Sequence, residues 1–223
     1  MINVTLLAHT PDPLRVIYTA AKTCYSGAKP ETIFKTSVTR QTMEHLIRKV
    51  VERGHHSVLE HVNFTFAISG ISRACSHQLV RHRVASYSQQ SQRYVEPSAE
   101  FVVPRTIRKH HKANDMFYKT LEHCMTAYKE MLTLGIPKED ARFVLPNATP
   151  TNIVVTMNLR ELIHVAGLRL CARAQWEIKF VLALIKKEVK KVDKFLGELL
   201  VPRCVSLGYC PEEVSCGLRP KKG

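Results

Sequence analysis

Thirteen residues, from Arg81 to Arg93 (Arg-His-Arg-Val-Ala-Ser-Tyr-Ser-Gln-Gln-Ser-Gln-Arg), concentrate the side chains best suited to chemistry. They include three arginines, one histidine, three serines and three glutamines. Arginine and glutamine are almost never buried without partners, so this segment does not form a core helix. Guanidinium forks match phosphates bidentately and stack on flat rings, while hydroxyls and amides serve carbonyl edges and ring nitrogens. The chemistry implied is the holding of an anion-bearing, ring-containing ligand.

Three further groups of residues stand out. His55-His56-Ser57-Val58-Leu59-Glu60-His61 follows Gly54 and sets three imidazoles and a carboxylate in one short stretch. A metal site is not indicated, because His-Glu-x-x-His is absent and spacing nominates no distant ligand. The alternative is a pocket lined by hydroxyl and imidazole donors, with Glu60 as the acceptor that orders them. Gln78 and Arg81, three apart, would share a helix face. Asn158, Leu159, Arg160, His164 and Arg169 form the last group, with Asn158 at a strand end, Arg160 opening a helix and His164 on the same face as Arg160. Arg142 alone would be an ordinary arginine in a short helix, and His164 alone a structural histidine.

Composition bounds the possibilities. A chain of 223 residues with 45% hydrophobic and 23% charged residues is ordinary for a globular protein. No apolar run reaches the length of a membrane span, and the start lacks the basic and apolar regions of a signal peptide, so a cytoplasmic location is expected. The seven cysteines form no Cys-x-x-Cys pair and read as reduced thiols. A net charge of +14 points to polyanionic partners, either nucleic acid or phosphorylated small molecules.

The elements that must position these residues follow from periodicity. Strands are expected over Ile2–Ala8, Val62–Ile68 and Thr151–Met157, with a short extended piece at Arg93–Val95. Helices are expected over Leu14–Cys24, Glu31–Arg53 with Gly54 as its stop, Ile71 to about Ser86, Asn114–Leu134, Lys138–Leu145 and Arg160–Val192, the last being one helix or two with a kink near Trp176. The signature thus begins at a helix end and runs into an exposed loop. No repeat or linker interrupts the chain. The expectation is a single α+β domain over residues 1–223, with long helices on a small mixed or antiparallel sheet and a Cys- and Lys-rich tail from about residue 204.

Arg81-His82-Arg83 followed seven residues later by Ser91 resembles the signature of flavin-dependent thymidylate synthases. Gly54-His55-x-Ser57-x-x-Glu60-His61, the Ala141-Arg142-x-x-Leu145-Pro146 segment, and Asn158-x-Arg160 with Leu168-Arg169 and Gln175-Trp176-Glu177 resemble further segments of that family. With a weaker match at Ala20-Ala21-Lys22-Thr23-Cys24-Tyr25, where Lys22 stands in place of the common arginine and no role is carried over, they span about residues 20 to 178. The resemblance implies the family's fold and its reaction, reductive methylation of dUMP to dTMP. Methylene-tetrahydrofolate would supply the carbon, and FAD and NADPH the reducing power, without an enzyme nucleophile. It implies FAD contacts at His55, Ser57, Glu60, Arg81, His82, Arg83, Gln89, Asn158, Leu159, Arg160 and His164. It implies dUMP contacts at Gln78, Arg81, Gln89, Gln90, Ser91, Gln92, Arg93, Arg142 and Arg169, with Arg169 as the catalytic residue on the uracil. A homotetramer with sites shared between subunits is implied as well. The competing reading is a basic nucleic-acid-binding protein without enzymatic activity. Against it, aromatic residues are only 7% of the chain and do not interleave with the basic ones as stacking platforms would.

Overall fold

A computed structural model describes residues 1–98 and 100–222, so Ala99 and Gly223, the end of the expected tail, lie outside it. The chain begins with strand β1 (Asn3–His9) and helices α1 (Pro13–Thr23), α2 (Pro30–Lys35) and α3 (Arg40–Glu52). Strand β2 (Asn63–Ser72), helix α4 (Arg73–Leu79) and strand β3 (Ala85–Gln89) follow. Helices α5 (Arg105–Lys109), α6 (His111–Thr133) and α7 (Lys138–Ala141) lead to strand β4 (Pro150–Asn158). Helices α8 (Leu159–Arg169), α9 (Trp176–Val192), α10 (Lys194–Glu198) and α11 (Arg203–Leu207) close the chain. The class is α+β, and the strands form one antiparallel sheet in the order β1-β2-β4-β3.

Two compact units are distinguished. The larger comprises Asn3–Ala67, His82–Tyr87 and Val154–Gly223. Its core is built from amphipathic stripes: Ile17 and Ala21 of α1, Ile47 of α3, and Ile178, Val181, Leu182, Ile185 and Val189 of α9 are all buried. Helix α9 packs along β1, and α1 along α2 and α3. The smaller unit comprises Met1–Ile2, Ile68–Arg81 and Ser88–Ile153, with Ile71, Cys75, Leu79, Leu121 and Tyr128 buried.

Several boundaries differ from the periodicity, each for a local reason. The expected helix over Glu31–Arg53 is two helices. Hydroxyl and β-branched residues crowd Thr36 to Thr39, and the Thr39 hydroxyl accepts from the Thr42 N–H at 3.2 Å, capping a new helix. Gly54 does end α3, at a φ of 77°. Strand β2 runs four residues past the expected end at Ile68, because Gly70 (φ 72°) lets the chain pass a neighbour where a Cβ would meet the Met1 carbonyl oxygen at 2.9 Å.

The helix expected over Ile71 to Ser86 is therefore only α4, capped by Ser72, whose hydroxyl accepts from the Cys75 N–H at 3.0 Å. What reads as an exposed signature loop is strand β3 over Ala85–Gln89; its side chains are polar on both faces, so no apolar alternation announces it. The extended piece at Arg93–Val95 is a turn, with the Tyr94 and Val95 N–H groups donating to the Ser91 carbonyl. Arg160 to Val192 is two helices. Gln175 caps the second by accepting from the N–H groups of Glu177 and Ile178 at 2.9 and 3.1 Å. Among the described residues no helix is long and apolar enough to cross a membrane.

Candidate active site

In the larger unit the β4–α8 junction organises one constellation. Asn158 ends the strand and caps the helix, its Oδ1 accepting from the Glu161 N–H at 2.8 Å, which leaves its Nδ2 as a donor for a ligand. Leu159 is fully buried and its N–H donates to the Val62 carbonyl at 2.8 Å, so this leucine offers a ligand backbone and not side chain. Arg160 forms an ion pair with Glu60, which stands on the 3₁₀ turn His56–His61. Both groups are about half exposed, so the pair aligns the two side chains more than it stabilises the fold. On the same turn Ser57 is exposed, and next to it His55 Nδ1 lies 3.2 Å from the Tyr25 hydroxyl.

His82 and Arg169 form the second feature of this unit. His82 is 5% exposed, and its Nε2 accepts from Arg169 Nε at 3.0 Å. The Tyr87 hydroxyl donates to the His82 carbonyl at 2.8 Å, and the ring of His164 meets that of His82 edge-on with centroids 6.3 Å apart. An imidazole that accepts from a guanidinium must carry its one proton on Nδ1, and it must be neutral. Burial first, then the charge of Arg169 and the neighbouring His164, lower the His82 pKa to about 4. The signature histidine, expected among the flavin contacts, thus spends its ring on orienting Arg169.

A stability prediction follows. An unfolded histidine protonates near pH 6.5 while folded His82 resists protonation down to about 4. Unfolding therefore takes up a proton in that window, and the stability contributed by neutral His82 is full above pH 6.5 and lost as the pH falls towards 4, by at most about 3 kcal/mol. His82→Gln, whose amide oxygen still accepts from Arg169, should lower stability at pH 7 yet flatten its fall between pH 6.5 and 4.5. Urea midpoints of the two proteins across that range test this, and parallel curves would contradict it.

The smaller unit holds the remaining signature residues. Gln89 Nε2 donates to the hydroxyls of Ser76 (2.9 Å) and Thr151 (3.2 Å), which fixes its amide with the carbonyl oxygen left over. Gln90 is tied to Asn152 twice: its N–H donates to the Asn152 carbonyl at 2.9 Å and its Oε1 accepts from Asn152 Nδ2 at 3.2 Å. The Ser91 hydroxyl accepts from the Arg93 N–H at 3.2 Å, so Ser91, Gln92 and Arg93 form a tight turn. Arg93 Nε donates to Glu139 Oε2 at 2.7 Å, and Arg142 Nε to the Glu139 carbonyl at 3.0 Å. Arg81 lies beyond the last residue of α4, so the helix face it was expected to share with Gln78 does not extend to it.

Arg73 joins this group without having been singled out in the sequence. It opens α4, its Nη1 lies 3.5 Å from the Gln90 carbonyl, and its guanidinium is near enough to that of Arg142 for burial and that like charge to lower its pKa. Two guanidiniums close enough to feel one another, with the Glu139 carboxylate paired to Arg93, are a donor set that suits a dianion. A signal was available: a cation in the first turn of a helix opposes the helix dipole, which suggests a duty elsewhere. Tyr25, Ser76 and Thr151 carried no signal at all, since they act by holding His55 and Gln89.

A family model described as thymidylate synthase complementing protein matches residues 5–193. The flavin-dependent thymidylate synthase of Pyrococcus furiosus is 46% identical over 221 residues, covering 95% of this chain and 90% of that protein. The enzyme of the same name from Geobacter sulfurreducens is 45% identical over 220 residues, covering 97% and 94%. The chain belongs to the flavin-dependent thymidylate synthase family. Among solved structures, a UMP/dUMP methylase, PolB, from Streptomyces cacaoi, bound with 5-Br dUMP, matches with a TM-score of 0.81 and 25% identity, covering 89% of this chain and 94% of that one. Membership in the flavin-dependent thymidylate synthase family implies a flavin cofactor and sets aside the reading of a nucleic-acid binder without activity.

Proposed function

We propose that this chain methylates C5 of dUMP to give dTMP, taking the carbon from methylene-tetrahydrofolate and the reducing equivalents from NADPH through FAD. The observation that carries the reading is the fold match to a dUMP methylase bound with a dUMP analogue, over 89% of this chain. The donor set supports it. On the larger unit, the Ser57 hydroxyl, the Nδ2 of Asn158 and the guanidiniums of Arg83 and Arg160 are the groups that suit a flavin ring and its pyrophosphate. FAD when bound supplies hydride chemistry, so none of the seven cysteines needs to act as nucleophile.

The protein's own residues do the positioning. Arg73, Arg142, Arg93 and Ser91 are assigned the nucleotide phosphate, and Gln89 and Gln90 its neighbouring polar edge. Arg169, oriented by neutral His82, is assigned the N3/O2 edge of the uracil, where negative charge develops as C5 becomes nucleophilic. The reading extends to a homotetramer in the cytoplasm with sites shared between subunits.

The first test is a visible spectrum. Purified protein should show flavin bands near stoichiometric with the chain and convert dUMP to dTMP only when methylene-tetrahydrofolate and NADPH are both added. A colourless protein that FAD does not restore, or turnover without the reductant, would overturn the proposal.

A further inference from the structure

The C-terminal part of the larger unit forms an open cavity of about 350 Å³ that the proposed reaction does not use. It lies between the end of α8, the following loop, α11 and the Cys-rich tail. The tail is folded into a wall by its own bonds: the Cys210 N–H donates to the Pro220 carbonyl at 2.7 Å, Lys221 Nζ donates to the Glu213 carbonyl at 2.5 Å, and Arg173 donates to the Val214 carbonyl. Leu170, Pro202, Val205 and Leu218 line it with apolar surface, and Val205 and Leu218 remain 43% and 74% exposed.

Charge separates this hollow from an ordinary packing defect. Arg173, Lys179, Arg203 and Arg219 border it, against one carboxylate, Glu212. Among the described residues none of these four cations enters a salt bridge, although the chain forms such pairs elsewhere. The Arg203 stem lies against the end of α8, where a Cβ on Gly167 would meet its Cγ at 3.0 Å, which anchors the base of an otherwise exposed side chain at the wall. Unpaired cations around a concave apolar surface focus a positive potential into it. The volume falls in the range of small-molecule sites, whose walls are likewise apolar with a few placed polar groups.

We propose that this cavity is a second ligand site, which takes an aromatic organic anion. The ring lies against Leu170, Pro202, Val205 and Leu218, and its phosphate, sulfonate or carboxylate meets Lys179, Arg203 and Arg219. Guanidiniums serve both parts, pairing with the anion and stacking on the ring. The four cysteines at its edge, Cys171, Cys204, Cys210 and Cys216, act here as small apolar wall residues; among the described residues no group of His, Cys, Asp and Glu is arranged to hold a metal ion.

The test is a calorimetric titration of the purified full-length protein with 8-anilinonaphthalene-1-sulfonate, in excess dUMP so that any nucleotide site is covered. One saturable site per chain is expected, weakened at least tenfold in Arg203→Glu/Arg219→Glu. Val205→Trp, which fills the hollow without changing charge, should weaken it similarly and guards against misfolding of the charge variant. Competition by dTTP or by 2-naphthoate then tells a nucleoside phosphate from an aromatic carboxylate as the natural chemistry. Unchanged affinity in Val205→Trp, or failure of both competitors to displace the probe, would overturn the proposal.

Discussion

Arg169→Ala is expected to lower turnover of dUMP by a hundredfold or more while the protein retains its flavin. The magnitude follows from the role. One preorganised donor aimed at charge that grows in the transition state is worth about 10²–10³ in rate. Arg169 fits that description because its Nε is already spent on His82, which leaves the Nη1 and Nη2 edge as a fork held in one orientation. Lysine at this position cannot both reach His82 and present a fork, so Arg169→Lys should recover little of the loss. His82→Ala should act through Arg169, lowering kcat less than Arg169→Ala does, and His82→Gln should restore part of it. Steady-state kinetics alongside the flavin absorbance per chain decide the matter. A kcat in Arg169→Ala within tenfold of the parent would remove the residue from its assigned role.

How much of this was readable in advance depends on the scale at which each residue acts. The candidate site residues were legible mainly through the family resemblance: Arg142, taken alone, is an ordinary arginine in a short helix, and only its place in a segment of known pattern singles it out. The α+β class was legible too, from the stripes of α1, α3 and α9 and the alternation in β2 and β4. Strand β3 was not, since a strand with polar residues on both faces carries no period-two signal, and the pairing that defines it comes from β4, far along the chain. The starts of α3 and α4 escaped for a related reason. Caps at Thr39 and Ser72 act over three residues, whereas the periodicity that suggested longer helices was summed over many more.

The duty of His82 shows the other limit. Its neighbours Arg81 and Arg83 are exposed, as the signature implies, but the histidine between them is buried against a residue 87 positions away. Only tertiary structure reveals that one signature motif is oriented towards the other. The pairing of Arg73 with Arg142 was invisible for the same reason, as nothing near Arg73 in sequence identifies Arg142 as its neighbour.

Arg73→Ala and Arg142→Ala are each expected to weaken dUMP binding about ten- to a hundredfold with a smaller effect on kcat. A charge-assisted hydrogen bond contributes about 1.5–3 kcal/mol, and each 1.4 kcal/mol is tenfold in affinity. In the free protein burial first, and then the like charge of Arg142, disfavour the charged form of Arg73. Removing one of them should therefore leave the melting temperature of the unliganded protein unchanged or slightly raised, the opposite of what loss of a structural residue does. If both hold one phosphate, their effects on binding will not add, because the first loss already misplaces the group the second would grip. Inorganic phosphate should compete with dUMP in the parent and lose that competition in either variant. Binding titrations of the parent, both single variants and the double variant measure all of this together. An Arg73→Ala protein that binds dUMP within about twofold of the parent, while Arg142→Ala does not, would restrict the phosphate receptor to Arg142, Arg93 and Ser91 and leave the half-buried Arg73 as support for the Gln90 carbonyl alone.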